Sequence, residues 1–158
     1  MNEAYLCLGA NLGDPVMQIT QARDLIAADP EIELLASSQV LETEPYGLTE
    51  QPRFHNQVLW INTNHQPEEL LRVALRIEHE LGRVRAEKWG PRVIDIDLLH
   101  YNDLVLNTET LSLPHPDLHN RAFALRLLCE VAPGLVHPIF HKSYCQLLRE
   151  LESTEVKP

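Results

Sequence analysis

Positive charge is scarce in this 158-residue chain: 13 lysines and arginines stand against 23 aspartates and glutamates, a formal net charge of −10. Such a surface cannot displace counterions over a broad area, which argues against general binding to nucleic acid or to an acidic membrane face. Apolar runs approaching the roughly 20 residues of a membrane span are absent as well. The opening Met1-Asn2-Glu3-Ala4 places no cationic n-region ahead of a long apolar stretch, so a soluble, cytoplasmic protein is expected. Cysteine is limited to Cys7, Cys129 and Cys145, with no CxxC pair and no Cys/His cluster at ligand spacing. That argues against a zinc site, and three reduced packing residues are expected rather than a disulfide.

Several catalytic signatures are also missing. Gly9-x-Asn11-x-Gly13 has neither a Lys-Ser/Thr ending nor the dinucleotide glycine spacing, and it reads as a strand-to-helix turn. His137 and His141 are four apart, but Pro138 breaks any helix between them and leaves no zinc-binding face. There is no Gly-x-Ser-x-Gly for acyl transfer. What the chain does have is 44% hydrophobic residues in a length suited to one compact domain, residues 1–158.

Its periodicities predict a strand over 3–8 and a helix from Asp14, as N-cap, with Pro15 at the first helical position and Val16, Ile19, Ala22 and Ile26 turned inward. Strands follow over 32–41 and 54–63, joined by a connection punctuated by Pro45, Gly47 and Pro52, long enough to suggest function. The clearest helix covers 67–81, with Leu70, Ala74, Ile77 and Leu81 on one stripe and Gly82 beyond its end. A fourth strand spans 95–101, with short pairings expected near Leu106 and between Leu111 and Leu113. Two more helices are expected, one ending at Val131 and one opened by the Ser143/Gln146 capping box. This order predicts an α+β fold with a ferredoxin-like βαββαβ core, additional C-terminal helices and short strands.

Chemistry concentrates between Arg83 and Leu99. Arg83, Arg85, Lys88 and Arg92 oppose only Glu87, a local balance of +3 in an acidic chain. Directly after them Asp95 and Asp97 flank Ile96, and residues two apart in a strand face the same side. Two adjacent carboxylates need a counter-charge. A divalent cation supplies it, hard oxygen ligands favour Mg2+, and two ions about 3.5–4 Å apart could clamp the attacking and leaving oxygens of a phosphoryl transfer. The arginine forks match phosphate, and Trp89 can close over the site.

Elsewhere Asn56 falls on the face shared by Phe54, Val58 and Trp60, an amide where an apolar side chain is expected. It is either a hydrogen-bonded core residue or a reader of a flat ligand with amide-like edges, with Phe54, Tyr46 and Phe123 as stacking surfaces. Glu78, near a helix C-terminus, is either placed for a partner or an ordinary surface acid. His115, between Pro114 and Pro116, and Arg121 close by could hold phosphate or form a simple turn. From the residues alone, another Mg-dependent phospho- or nucleotidyltransferase and a non-catalytic ferredoxin-like regulatory module stay open.

The run Lys88-Trp89-Gly90-Pro91-Arg92-Val93-Ile94-Asp95-Ile96-Asp97-Leu98-Leu99 resembles the signature of the hydroxymethyldihydropterin pyrophosphokinase family of folate biosynthesis. Ordered matches extend along the chain, at Leu8 to Gly13, Thr43 to Gly47, Phe54-His55-Asn56, Arg76-Ile77-Glu78, Gly82 to Arg85, Pro114 to Asp117 and Asn120 to Phe123. Glu44, Thr110 and Pro116 depart from the residues usual there. The resemblance implies transfer of the terminal diphosphate of ATP to the hydroxymethyl group of a reduced pterin, releasing AMP, with two Mg2+ ions on Asp95 and Asp97. It implies Arg83, Arg92 and Arg85 on the polyphosphate, and Glu78, Leu98, Ser112, His115 and Arg121 on the nucleotide side. Thr43, Tyr46, Phe54, Asn56 and Phe123 fall on the pterin side, and Trp89 in a loop closing over both ligands. A monomer acting on small molecules, without nucleic-acid or membrane partners, is the corresponding expectation.

Overall fold

In the computed structural model of the protein, residues 1–44, 52–82 and 93–155 are described. The expected positions Tyr46, Arg83, Arg85, Trp89 and Arg92 lie outside them.

The longest strands form the middle of the sheet. β1 (Asn2–Ala10) pairs antiparallel with β4 (Phe54–Thr63) on one side and with β5 (Asp95–Tyr101) on the other. β2 (Ile32–Ser37) and the short β3 (Leu41–Thr43) both pair with β4. The order β2-β4-β1-β5, with α1 (Pro15–Ala27) and α2 (Pro67–Gly82) as crossovers, is the ferredoxin-like α+β arrangement. β6 (Leu106–Asn107) and β7 (Ser112–Leu113) make a separate hairpin. A single 3-10 turn (Leu118–Asn120), α3 (Ala122–Val131) and α4 (Tyr144–Glu155) complete the described chain.

Both sheet faces are covered, which is why β1 reads as a near-continuous apolar run. On one face Ala4, Leu6, Leu8 and Ala10 pack with Ile19, Ala22 and Ile26 of α1 and with Leu70, Val73, Ala74 and Ile77 of α2. On the other, Tyr5, Cys7, Val58 and Leu99 pack with Ala124, Leu125, Leu128 and Tyr144 of the C-terminal helices. The caps follow the sequence: the Asp14 carboxylate accepts from the Met17 N–H at 3.2 Å, and the Ser143 hydroxyl from the Gln146 N–H at 3.0 Å.

Three expectations need correction. Val16 is exposed, because it sits in the first turn of α1 where the helix has not yet reached the sheet; the rest of its stripe is buried. The strand expected over 32–41 is interrupted after Ser37, where the ladder slips by one residue: Ser37 faces Leu59 but Leu41 faces Asn56. There the Val58 N–H donates to the Ser38 hydroxyl at 2.9 Å, so a side chain takes the place of a backbone acceptor. Third, Cys129 and Cys145 are joined in a disulfide, leaving Cys7 as the free, buried cysteine. α3 and α4 pack side by side and bring the two Cα atoms to 5.1 Å, a proximity that their spacing in sequence does not encode.

Candidate functional site

The α3/α4 layer covers only part of its sheet face. Toward the end of β1 the face is open, and a cleft of about 540 Å³ lies there, within the size range of small-molecule sites. Its floor is set by strand register. Gly9 in β1 lies directly between Asn56 of β4 and Asp95 of β5, and one rung deeper Cys7 lies between Val58 and Asp97. Directly opposed residues share a face, so Asn56, Gly9 and Asp95 form one row across three strands. Two strand spacings make that row about 9.6 Å wide.

The walls come from both sides. Thr43 and Glu44 at the end of β3, with Phe54 at the start of β4, line one side. Asp117, Asn120, Arg121 and Phe123, from the 3-10 turn with its two flanking residues and the first turn of α3, line the other. Asn56 is 6% exposed, and its side-chain amide makes no hydrogen bond among the described residues. A buried amide facing an open cleft is set for a ligand with complementary donors and acceptors.

Charge is arranged along the opposite edge. Arg121 Nη1 is 3.6 Å from Asp97 Oδ2, and its Nε is 3.7 Å from Asp117 Oδ2. The amide of Asn120 donates to the Asp117 carboxylate at 3.0 Å and, with Arg121 beside it, holds that carboxyl below its ordinary range. Burial, and then the neighbouring Asp97 carboxylate, push the Cys7 thiol up to about 12, so the floor beneath the aspartates is a neutral S–H. His115 is held by two backbone bonds: its N–H donates to the Leu99 carbonyl at 2.9 Å, and its Nδ1 accepts from the Asp117 N–H at 3.1 Å. Burial and the Arg121 charge lower its affinity for a proton, so the imidazole is neutral with its hydrogen on Nε2.

The donor set fits Mg2+. Asp95 and Asp97 leave one face of β5 at the cleft, and among the described residues no group of three or more His, Cys, Asp or Glu closes around an ion. Mg2+ is commonly held this way, by one or two carboxylates with water and substrate phosphate completing the shell.

Residues 5–133 match the family model described as 7,8-dihydro-6-hydroxymethylpterin-pyrophosphokinase (HPPK). The chain belongs to that family. It is 46% identical over 136 residues to a 2-amino-4-hydroxy-6-hydroxymethyldihydropteridine pyrophosphokinase of Methylorubrum extorquens, covering 86% of each chain. With the protein of the same description from Aquifex aeolicus it shares 42% identity over 142 residues, covering 90% of this chain and 88% of that one. Folic acid synthesis protein fol1 of Schizosaccharomyces pombe is 40% identical over 154 residues; 98% of this chain corresponds to only 21% of fol1. Among solved structures, a Plasmodium falciparum HPPK-DHPS superposes with a TM-score of 0.78 at 16% identity, over 96% of this chain and 42% of that one, a likeness of fold. The reaction of the pyrophosphokinase family, Mg2+-dependent transfer of diphosphate from ATP to 6-hydroxymethyl-7,8-dihydropterin, is the reaction of this chain.

In this pyrophosphokinase the cleft brings together Thr43, Phe54, Asn56, Asp95, Asp97, Arg121 and Phe123 from the expected set. Three expected nucleotide-side residues are engaged elsewhere. The Glu78 carboxylate accepts from the Ile96 N–H at 2.6 Å and so anchors β5 between the two aspartates. The Leu98 side chain is in the core on the α1/α2 face. The Ser112 hydroxyl donates to Asn107 Oδ1 at 3.0 Å within the β6/β7 hairpin. Sequence reasoning missed Cys7, Gly9, Glu44, Asp117 and Asn120 as cleft residues. Cys7 and Gly9 share the alternation of Tyr5, but a strand buried on both faces hides which face any residue takes. Asp117 was legible as the partner four residues before Arg121.

Proposed function

We propose that diphosphate transfer takes place in this cleft, with the pterin held at the Asn56 end and the polyphosphate at the Asp95/Asp97 end. The observation that carries the assignment is the Asn56–Gly9–Asp95 row: a hydrogen-bonding amide and a metal-binding carboxylate share one face, about two strand spacings apart. Asn56 supplies both an acceptor and donors to the edge of the pterin, Phe54 and Phe123 offer it ring faces, and Thr43 flanks it. Tyr46 belongs to the same side by resemblance.

Two Mg2+ ions would be held by Asp95 and Asp97; when bound they neutralise phosphate charge and lower the pKa of coordinated oxygens. The chain's own groups do the rest. Arg121 sets positive charge between Asp97 and Asp117, and neutral His115 offers its Nε2–H to a nucleotide oxygen. Glu78 acts on the nucleotide side through β5, whose Ile96 N–H it holds, and Leu98 and Ser112 through the backbone on which they sit. By resemblance, Arg83, Arg85 and Arg92 are assigned to the polyphosphate and Trp89 to both ligands. Catalysis is then mainly positioning and electrostatics, because in-line phosphoryl transfer asks little covalent chemistry of a protein. Residues 1–158 act as one catalytic domain and as a cytoplasmic monomer; no helix among the described residues is long and apolar enough to cross a membrane.

Incubation with ATP, Mg2+ and the reduced hydroxymethylpterin tests the reading by its nucleotide product. AMP formed only when the pterin is present is expected. ADP as product would point instead to a single-phosphoryl transferase.

A further inference from the structure

We propose that Gly9 is a specificity-determining positioning residue: its missing side chain makes the space in which the Asn56 amide lies, and thereby sets how that amide meets the pterin. The inference rests on the assignment of Asn56 to the pterin.

Gly9 belongs to the Leu8-Gly9-Ala10-Asn11-Leu12-Gly13 stretch that the sequence presents as a turn. The structure divides that stretch in two. Gly13 has φ +62° and is the residue that turns the chain toward α1. Gly9 lies inside β1, which continues to Ala10, and no positive φ accounts for it. Its reason is close approach. A Cβ built on Gly9 would stand 2.7 Å from Asn56 Oδ1 and 3.8 Å from Asn56 Cγ. The next nearest atom, the His55 carbonyl oxygen, is at 3.9 Å, so the amide oxygen alone is crowded. The Asn56 side chain therefore leans over β1, into the space that a Gly9 side chain would take.

Relieving the clash takes a retreat of about 0.7 Å, from 2.7 Å to the 3.4 Å at which ordinary contact begins. A short side chain can make that move by turning about its own torsions, so the fold survives while the amide loses its orientation. Misplacement on that scale near a reacting centre costs up to about 100-fold. The polyphosphate end is spared, since no other contact under 3.8 Å is created.

Gly9→Ala, Asn56→Ala and the double variant test this by steady-state kinetics with each substrate varied, and by thermal unfolding. Gly9→Ala is expected to raise KM for the pterin by roughly tenfold or more while KM for ATP stays within about twofold. In the Asn56→Ala background, Gly9→Ala should cost nothing further, because the atom it strikes is gone. Equal costs in both backgrounds, or a Gly9→Ala enzyme with normal KM for the pterin, overturn the role of Gly9 while leaving Asn56 in place. An Asn56→Ala enzyme with normal pterin kinetics overturns the pterin assignment itself, and this inference with it. Should Gly9→Ala fold poorly, the double variant is expected to unfold at a higher temperature than Gly9→Ala; a lower one contradicts the clash.

Discussion

The Asp97 carboxylate faces the Arg121 guanidinium at 3.6 Å, joining the N-cap of α3 to the strand that carries both Asp95 and Asp97. Asp117, 3.7 Å from the same guanidinium, makes Arg121 the centre of an acid–base–acid line along one wall of the cleft. A pair about one-third to one-half exposed adds little to stability, about 1 kcal/mol at most, and under the proposed function Arg121 serves the nucleotide.

Arg121→Ala is therefore expected to raise KM for ATP roughly tenfold or more, the worth of a charge-assisted hydrogen bond, with only a small change in unfolding temperature. Kinetics with ATP varied at saturating pterin check it. An unchanged KM for ATP would leave Arg121 as a structural residue.

His137 gives a pH-dependent stability. It is 3% exposed, and its Nδ1 accepts from the Ile139 and Phe140 N–H groups at 3.1 and 3.2 Å. Burial, reinforced by His119, His100 and His141, lowers its pKa to about 4. The unfolded value is about 6.5, so between these limits the unfolded chain binds more protons than the folded one. Its contribution is thus complete above about pH 6.5 and is lost as pH falls toward 4, on the order of 3 kcal/mol in all. His137→Asn, which keeps an acceptor for both N–H groups, should flatten that part of the profile. Denaturant midpoints at stepped pH measure the difference, and parallel profiles for the two proteins would contradict it.

The Cys129–Cys145 bond closes a loop with a sequence separation of 16 and fastens α4 to α3, whose N-cap Arg121 and first-turn Phe123 line the cleft. A loop of that length is worth about 3 kcal/mol by chain entropy, or roughly 6–12 °C in a domain of this size. Thermal unfolding with and without a reductant, compared with Cys129→Ser, is expected to show that loss in both. A reduced protein that melts at the same temperature would show that the bond carries no stability.

Much of this was legible in the chain. β4 and β5 begin and end where alternation and turn residues place them. The shared face of Asp95 and Asp97 follows from spacing alone. What escaped is tertiary. The break after Ser37 depends on a hydroxyl bonding to an amide of a different strand, and the cystine depends on how two helices pack. Gly9 is the clearest case: its use becomes visible only once β4 lays Asn56 against it.

In the proposed mechanism Asp95 and Asp97 form the metal-binding end of the reaction site. The direct measurement is pterin-dependent AMP formation by Asp97→Asn across a range of Mg2+ concentrations, on protein shown to be folded by its unfolding transition. A fall in kcat of about 10³-fold or more, not restored by added Mg2+, is expected. Turnover near that of the unaltered enzyme would contradict the assignment.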